Sequence, residues 1–98
     1  MNKKEIKIKD EVWKAKIKKR DKACAINDKC RGPLAADHIF SSKYHATRWH
    51  PTNGILLCQR HHIFWKRQEP VLWYWAVEKK VGKARLKKLY KLIQDKRK

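Results

Sequence analysis

Twenty-seven Lys and Arg against nine Asp and Glu give this 98-residue chain a net charge of +18 before any of its five histidines is counted, a balance that points to a polyanionic partner. Length allows one domain, and an apolar share of 42% supports a fold without a large core, while no apolar run approaches the roughly 18 to 20 residues that a membrane span needs. Three cysteines cannot pair among themselves, so a disulfide framework is disfavoured and metal becomes the expected staple of so small a domain.

Residues 1–22 form a Lys-rich segment in which Val12, Trp13 and Ile17 suit a short helix while Ile6 and Ile8 alternate like a strand. Asp10 is placed to cap that helix by accepting a backbone N–H. From 23 to 67 the character changes: all three cysteines, all five histidines and Gly32, Pro33, Pro51 and Gly54 crowd together, and clustered breakers mean turns. Ala35 to Phe40 and Ile55 to Leu57 are predicted strands joined by a polar loop of roughly a dozen residues, a long-loop hairpin. Cys58 to Arg67 then reads as a helix with Ile63 and Phe64 facing inward. In the remaining segment, 68–98, Pro70 marks a helix start, because its missing N–H would be an orphan in the first turn anyway. The helix runs from Val71 to about Lys80, and Gly82 breaks it. Leu86, Leu89, Tyr90 and Ile93 then recur at i, i+3, i+4, i+7 on a Lys-covered helix, a stripe that docks onto the domain, and the charged tail Asp95 to Lys98 is expected to fray. No signal-peptide core opens the chain, and a soluble protein of a reducing compartment, the cytoplasm, is expected.

The cysteines fall into a metal-like pattern. Cys24 and Cys30 are separated by five residues around the turn-prone Asn27-Asp28, and Cys58 lies 28 positions after Cys30 with His61 three further on. A structural Zn²⁺ takes four such ligands in a tetrahedron, supplied by two close pairs that a chain reversal brings together. Cys24, Cys30, Cys58 and His61 make a Cys₃His set, although the first spacing is wider than the usual two to four residues. The alternative is three cysteines buried merely as small hydrophobes.

A second pattern follows: Asp37-His38 at the end of the first strand, fourteen residues, Asn53, eight residues, His62. This is the spacing of the HNH endonuclease motif. Leu57-Cys58-Gln59-Arg60-His61-His62 resembles the family's Leu-Cys-x-x-Cys-His, with His61 in place of the second Cys. Asp37-His38-Ile39-Phe40-Ser41-Ser42 followed by Thr47-Arg48-Trp49 resembles phage-borne HNH and recombination nucleases. The resemblance spans roughly Cys24 to Lys66. It implies an α+β fold with a small zinc-stabilised ββα-metal, treble-clef-like core and flanking helices, in a bacterial or phage-infected cell.

The resemblance further implies roles. His38 is the general base that activates water. Asp37 and His62 hold a catalytic Mg²⁺, Mn²⁺ or other divalent ion, and Asn53 ties the loop to the strand or touches that ion. Adjacent helical histidines point about 100° apart, so His61 serves the zinc with Cys58 while His62 serves the catalytic ion. Placing Cys58 and His62 on one zinc instead would leave the catalytic site a ligand short. Strict alternation sends Asp37 and His38 to opposite faces, so both approach one ion only if the strand is ending or strongly twisted there, as the motif match implies it is. His45 and His50 lie in the loop, where a histidine is more often a phosphate contact or inert than a catalyst. Double-stranded DNA is the expected partner, held through Lys43, Arg48, Arg60, Lys66 and Arg67 with affinity that falls steeply with salt. No base-reading module is visible, so little sequence specificity is expected. Trp49, Trp65, Trp73 and Trp75 are assigned to the core, because so small a domain needs large buried side chains. A zinc-stabilised DNA-binding protein without catalysis is the rival reading.

Overall fold

The computed structural model describes residues 1–27 and 29–97. Asp28 of the predicted turn and Lys98 of the tail lie outside the described residues. The first element, α1, runs over Lys3–Asp21 as one helix, so Ile6 and Ile8 are helical rather than strand-like. Its cap is Asn2, not Asp10: the Asn2 Oδ1 accepts the Glu5 N–H at 2.9 Å and the Asn2 amide donates to Glu5 Oε1 at 3.3 Å. One orphan N–H of the first turn is thereby satisfied, and the side-chain bond braces the cap. Lys22 closes the helix in the left-handed conformation (φ 61°), its N–H on the Lys18 carbonyl. Trp13 and Ile17, at i and i+4, are the buried residues of this helix.

Two strands follow, β1 (Leu34–His38) and β2 (Gly54–Cys58), paired antiparallel with Leu34 opposite Cys58, Asp37 opposite Ile55 and His38 opposite Gly54. The hairpin stands as predicted, with β1 ending two residues early and β2 one residue longer at each end. Every residue of β2 is buried because both faces of the sheet are covered. Leu56 packs with Trp13 and Ile17 on one face, while Ile55 and Leu57 join Trp73, Val77, Leu86 and Leu89 on the other. Between the strands lie a short helix, α2 (His45–Arg48), and a 3₁₀ turn over Pro51–Asn53.

Beyond β2 a wide π-helical turn, Arg60–Trp65, leads through α3 (Lys66–Gln68) into α4 (Pro70–Val81) and α5 (Lys83–Arg97). Pro70 opens α4, and Gly82 at φ 89° separates it from α5, as the breakers implied. The stripe on α5 docks through Leu86, Leu89 and Ile93, but Tyr90 sits at its margin and is exposed. This helix continues to Arg97 instead of fraying at Asp95. Ile63 and Phe64 are exposed, not inward; the interior face of that turn belongs to His61 and, four residues on, Trp65. Of the four tryptophans assigned to the core, Trp73 is buried and Trp49 and Trp65 are half-buried, but Trp75 is 66% exposed. The result is a small α+β fold, and no helix among the described residues is long and apolar enough to cross a membrane.

Gly54 allows α1 to approach the sheet. A Cβ there would fall 2.5 Å from both Trp13 Cζ2 and Ile17 Cδ1. Because those atoms belong to fully packed side chains, Gly54→Ala is expected to cost about 1–3 kcal/mol and to lower the melting temperature by at least ~4 °C. An unchanged melting curve would mean that α1 packs elsewhere.

Candidate functional site

The candidate metal centre is built from four places in the chain. Cys24 follows the end of α1 and is fixed by the Ala25 N–H on the Leu56 carbonyl at 2.8 Å. Cys30 comes from the turn before β1, Cys58 ends β2, and His61 lies in the π-helical turn. Their ligand atoms all fall within 4.8 Å of one another. The histidine offers Nδ1, at 3.5 Å from the Cys24 sulfur, 3.8 Å from Cys30 and 3.1 Å from Cys58. A tetrahedral ion at Zn–S about 2.3 Å and Zn–N about 2.0–2.1 Å sets such edges near ~3.6 Å, so the four residues can hold a metal such as zinc.

Charge argues the same way. Desolvation, then the sulfurs of Cys24 and Cys58, pushes the Cys30 thiol up to about 12. Cys58 also feels desolvation, but the backbone N–H groups of His61 and Arg31 aimed at its sulfur bring its thiol below the ordinary value. Three converging sulfurs cannot all ionise without a cation between them.

His62, next to His61, turns away from this cluster. Its Nε2 lies 3.3 Å from Asp37 Oδ1, a separation that one divalent ion bound at about 2.0–2.1 Å can bridge. Asp37 is buried on the sheet face that carries Ile55. Lys66 also reaches it, with Nζ at 3.0 and 3.2 Å from the two carboxylate oxygens and 3.3 Å from the His38 carbonyl. The ammonium lies 5.0 Å from the centre of the Trp73 ring. Lys66, expected on DNA, is thus seated on the carboxylate expected to bind metal.

His38 obeys the alternation: although β1 ends there, its ring points to the other face. It stacks on Trp13 with ring centres 4.1 Å apart and planes 5° off parallel, and its Nε2 is 3.0 Å from the Arg48 carbonyl. A carbonyl can only accept, so the neutral ring carries its proton on Nε2 and leaves Nδ1 basic. Burial pushes the His38 pKa below its ordinary 6.5, against the opposing pull of the Arg48 carbonyl and the charges of Asp37 and Asp10. The ring is therefore neutral at pH 7.

Asn53 is fully buried, with both halves of its amide on one residue: Oδ1 accepts the Phe40 N–H at 2.8 Å, and Nδ2 donates to the Phe40 carbonyl at 3.1 Å. Of the two expected roles, these contacts supply the tie between loop and strand, which makes Asn53 a positioning residue. His50 caps the 3₁₀ turn through Thr52, and exposed His45 meets Trp49 edge-on.

Arg48 is not a free DNA contact. Its guanidinium makes a two-pronged ion pair with Asp10 at 3.1 and 2.8 Å and donates to the Ser42 carbonyl at 3.2 Å. Asp10 accepts the Trp49 indole N–H as well, at 2.9 Å. Arg48 holds the Asp10 carboxyl below its ordinary 3.8, so the pair stabilises the fold above that pH and weakens as pH falls below it. Asp10→Asn is expected to cost about 1–2 kcal/mol at pH 7, measured as a lower urea midpoint. The midpoints of the two proteins should converge below pH 3.8; a constant gap would mean that the charge is immaterial.

Lys43 and Arg67 are exposed and Arg60 is half-exposed. Trp13 and Asp10, which orient His38 and its loop, carry no local signal, since their partners stand 25 to 39 positions away. Comparison with family profiles, with curated proteins and with solved structures finds no match for this chain.

Proposed function

We propose that the chain is a metal-dependent DNA endonuclease of the HNH type, with β1, β2 and the helical segment after them as its ββα-metal core. The observation that carries this reading is the Asp37–His62 pair at 3.3 Å, with the next residue of β1, His38, turned to the other face and its Nε2 fixed on the Arg48 carbonyl at 3.0 Å. Asp37 Oδ1 and His62 Nε2 would hold the divalent ion. When bound, the ion supplies positive charge to the phosphate and to the leaving oxygen. His38 takes a proton from water through Nδ1, because Nε2 is held by the carbonyl. Trp13 keeps the imidazole plane fixed, and Asn53 holds the loop from which Arg48 presents that carbonyl. The basic surface engages the phosphate backbone of duplex DNA without reading sequence, so binding weakens steeply as salt rises.

The test is conversion of supercoiled plasmid to open circle or linear DNA by zinc-loaded protein across a series of divalent ions. Mg²⁺ or Mn²⁺ should support it, and absence of conversion in every metal would overturn the reading. One observation favours a second reading, a zinc-stabilised DNA-binding protein without catalysis: the Lys66 ammonium neutralises Asp37 and must swing aside before an ion can bind. Its half-exposed, flexible stem permits that movement, and the plasmid assay decides between the two.

A further inference from the structure

Arg31 and Arg60 stand side by side where the two cysteine-bearing arms meet. The Arg60 N–H donates to the Arg31 carbonyl at 3.1 Å, and the Arg31 N–H is aimed at the Cys58 sulfur. The arms are pressed together at Gly32 (φ 81°), where a Cβ would fall 2.4 Å from Gln59 Oε1 and 2.5 Å from Gln59 Cβ. Both arginines line a groove of about 350 Å³. Phe64, a residue 53% exposed, forms part of its wall, and Trp65 lines it too, edge-on to His61 at 4.8 Å. Gln59 and Gln68 add two amides, and Glu69 is the one acid of the lining.

Three other arginines differ in kind. Arg20 and Arg85 donate to carbonyls of residues 51–54, and Arg48 pairs with Asp10. Among the described residues the guanidinium groups of Arg31 and Arg60 have no carboxylate or carbonyl partner. Two such cations beside an exposed aromatic face and two amides match the parts of one nucleotide: phosphate on the guanidiniums, base on Phe64, base edge toward the amides. A cavity of this size falls at the small end of the ~300–1,000 Å³ range of ligand sites. Bases inside a duplex do not offer their faces to a side chain.

We propose that this groove holds an unpaired nucleotide of single-stranded DNA, alongside the duplex held by the rest of the basic surface. The inference rests on the DNA-binding part of the reading above and not on catalysis. To test it, zinc-loaded protein without Mg²⁺ or Mn²⁺ is titrated into labelled oligothymidylate and into a blunt hairpin duplex, by fluorescence anisotropy over a salt series. Phe64→Ala should weaken oligothymidylate binding about tenfold, with duplex binding changed less than about twofold, and Phe64→Leu should behave like it. Arg31→Gln and Arg60→Gln should each lower the oligothymidylate salt slope by about 0.7. Equal oligothymidylate affinity of wild type and Phe64→Ala, or salt slopes unchanged in both arginine variants, would overturn the proposal. Loss of plasmid nicking with the Phe64 effect intact would sink the endonuclease reading alone.

Discussion

A Cys58→Ser chain, or the wild-type chain treated with a strong chelator, should show no cooperative thermal transition. The magnitudes leave little room for another outcome. A small domain has a net stability of about 5–15 kcal/mol, whereas a structural zinc contributes apparent free energies of about 10–16 kcal/mol. The ligands are also part of the core, since Cys24 and Cys58 pack with Ile55, Leu57, Trp73 and Val77. Without a cation the Cys30 thiol is pushed up to about 12, so the cluster resists its own ionisation. Elemental analysis should find one zinc per chain, and circular dichroism should lose its sigmoidal melt on chelation. A Cys58→Ser protein that keeps wild-type zinc content and melting temperature would refute the assignment.

His38→Ala should lower plasmid nicking by about 10²- to 10⁴-fold while DNA affinity stays within about twofold. Loss of the stack on Trp13 is worth only about 0.5–1.5 kcal/mol, so the variant remains folded and the loss is one of chemistry. His38→Gln is the companion variant. Its amide can still donate to the Arg48 carbonyl but offers no base, so it should restore stability and leave nicking as low as in the alanine variant. Wild-type nicking by either variant would reduce His38 to a packing partner of α1.

The hairpin, the start of α4, its separation from α5 and the Cys₃His set were legible because each rests on short-range chemistry: Pro70, Gly82 and close ligand pairs announce themselves locally. What stayed hidden was decided over long distances. Ile6 and Ile8 alternate among lysines, and nothing nearby reveals that Asn2 starts one continuous helix. Asp10 resembles a cap because Arg48 and Trp49, its partners, lie 38 and 39 positions away. Arg48 was assigned to DNA for the same reason. Phe64 and Trp75 were taken as interior because they are apolar, but His61 and Trp73 fix which face of each helix turns inward. His61 and His62 go to different clusters, as their angular spacing required, whereas Asp37 and His38, expected to approach one ion at the strand end, follow strand alternation to different faces instead.

One oxygen links the two ends of this architecture. The Gly54 carbonyl receives Arg20 Nη2 at 2.6 Å from the end of α1 and Arg85 Nη2 at 2.9 Å from α5. Arg20 also reaches the Pro51 carbonyl and Arg85 the Thr52 carbonyl. Opening either helix would strip a hydrogen-bonded guanidinium from the hairpin. The buried amides of both flanking helices should therefore exchange hydrogen together with those of β2, as one cooperative unit rather than as fraying appendages.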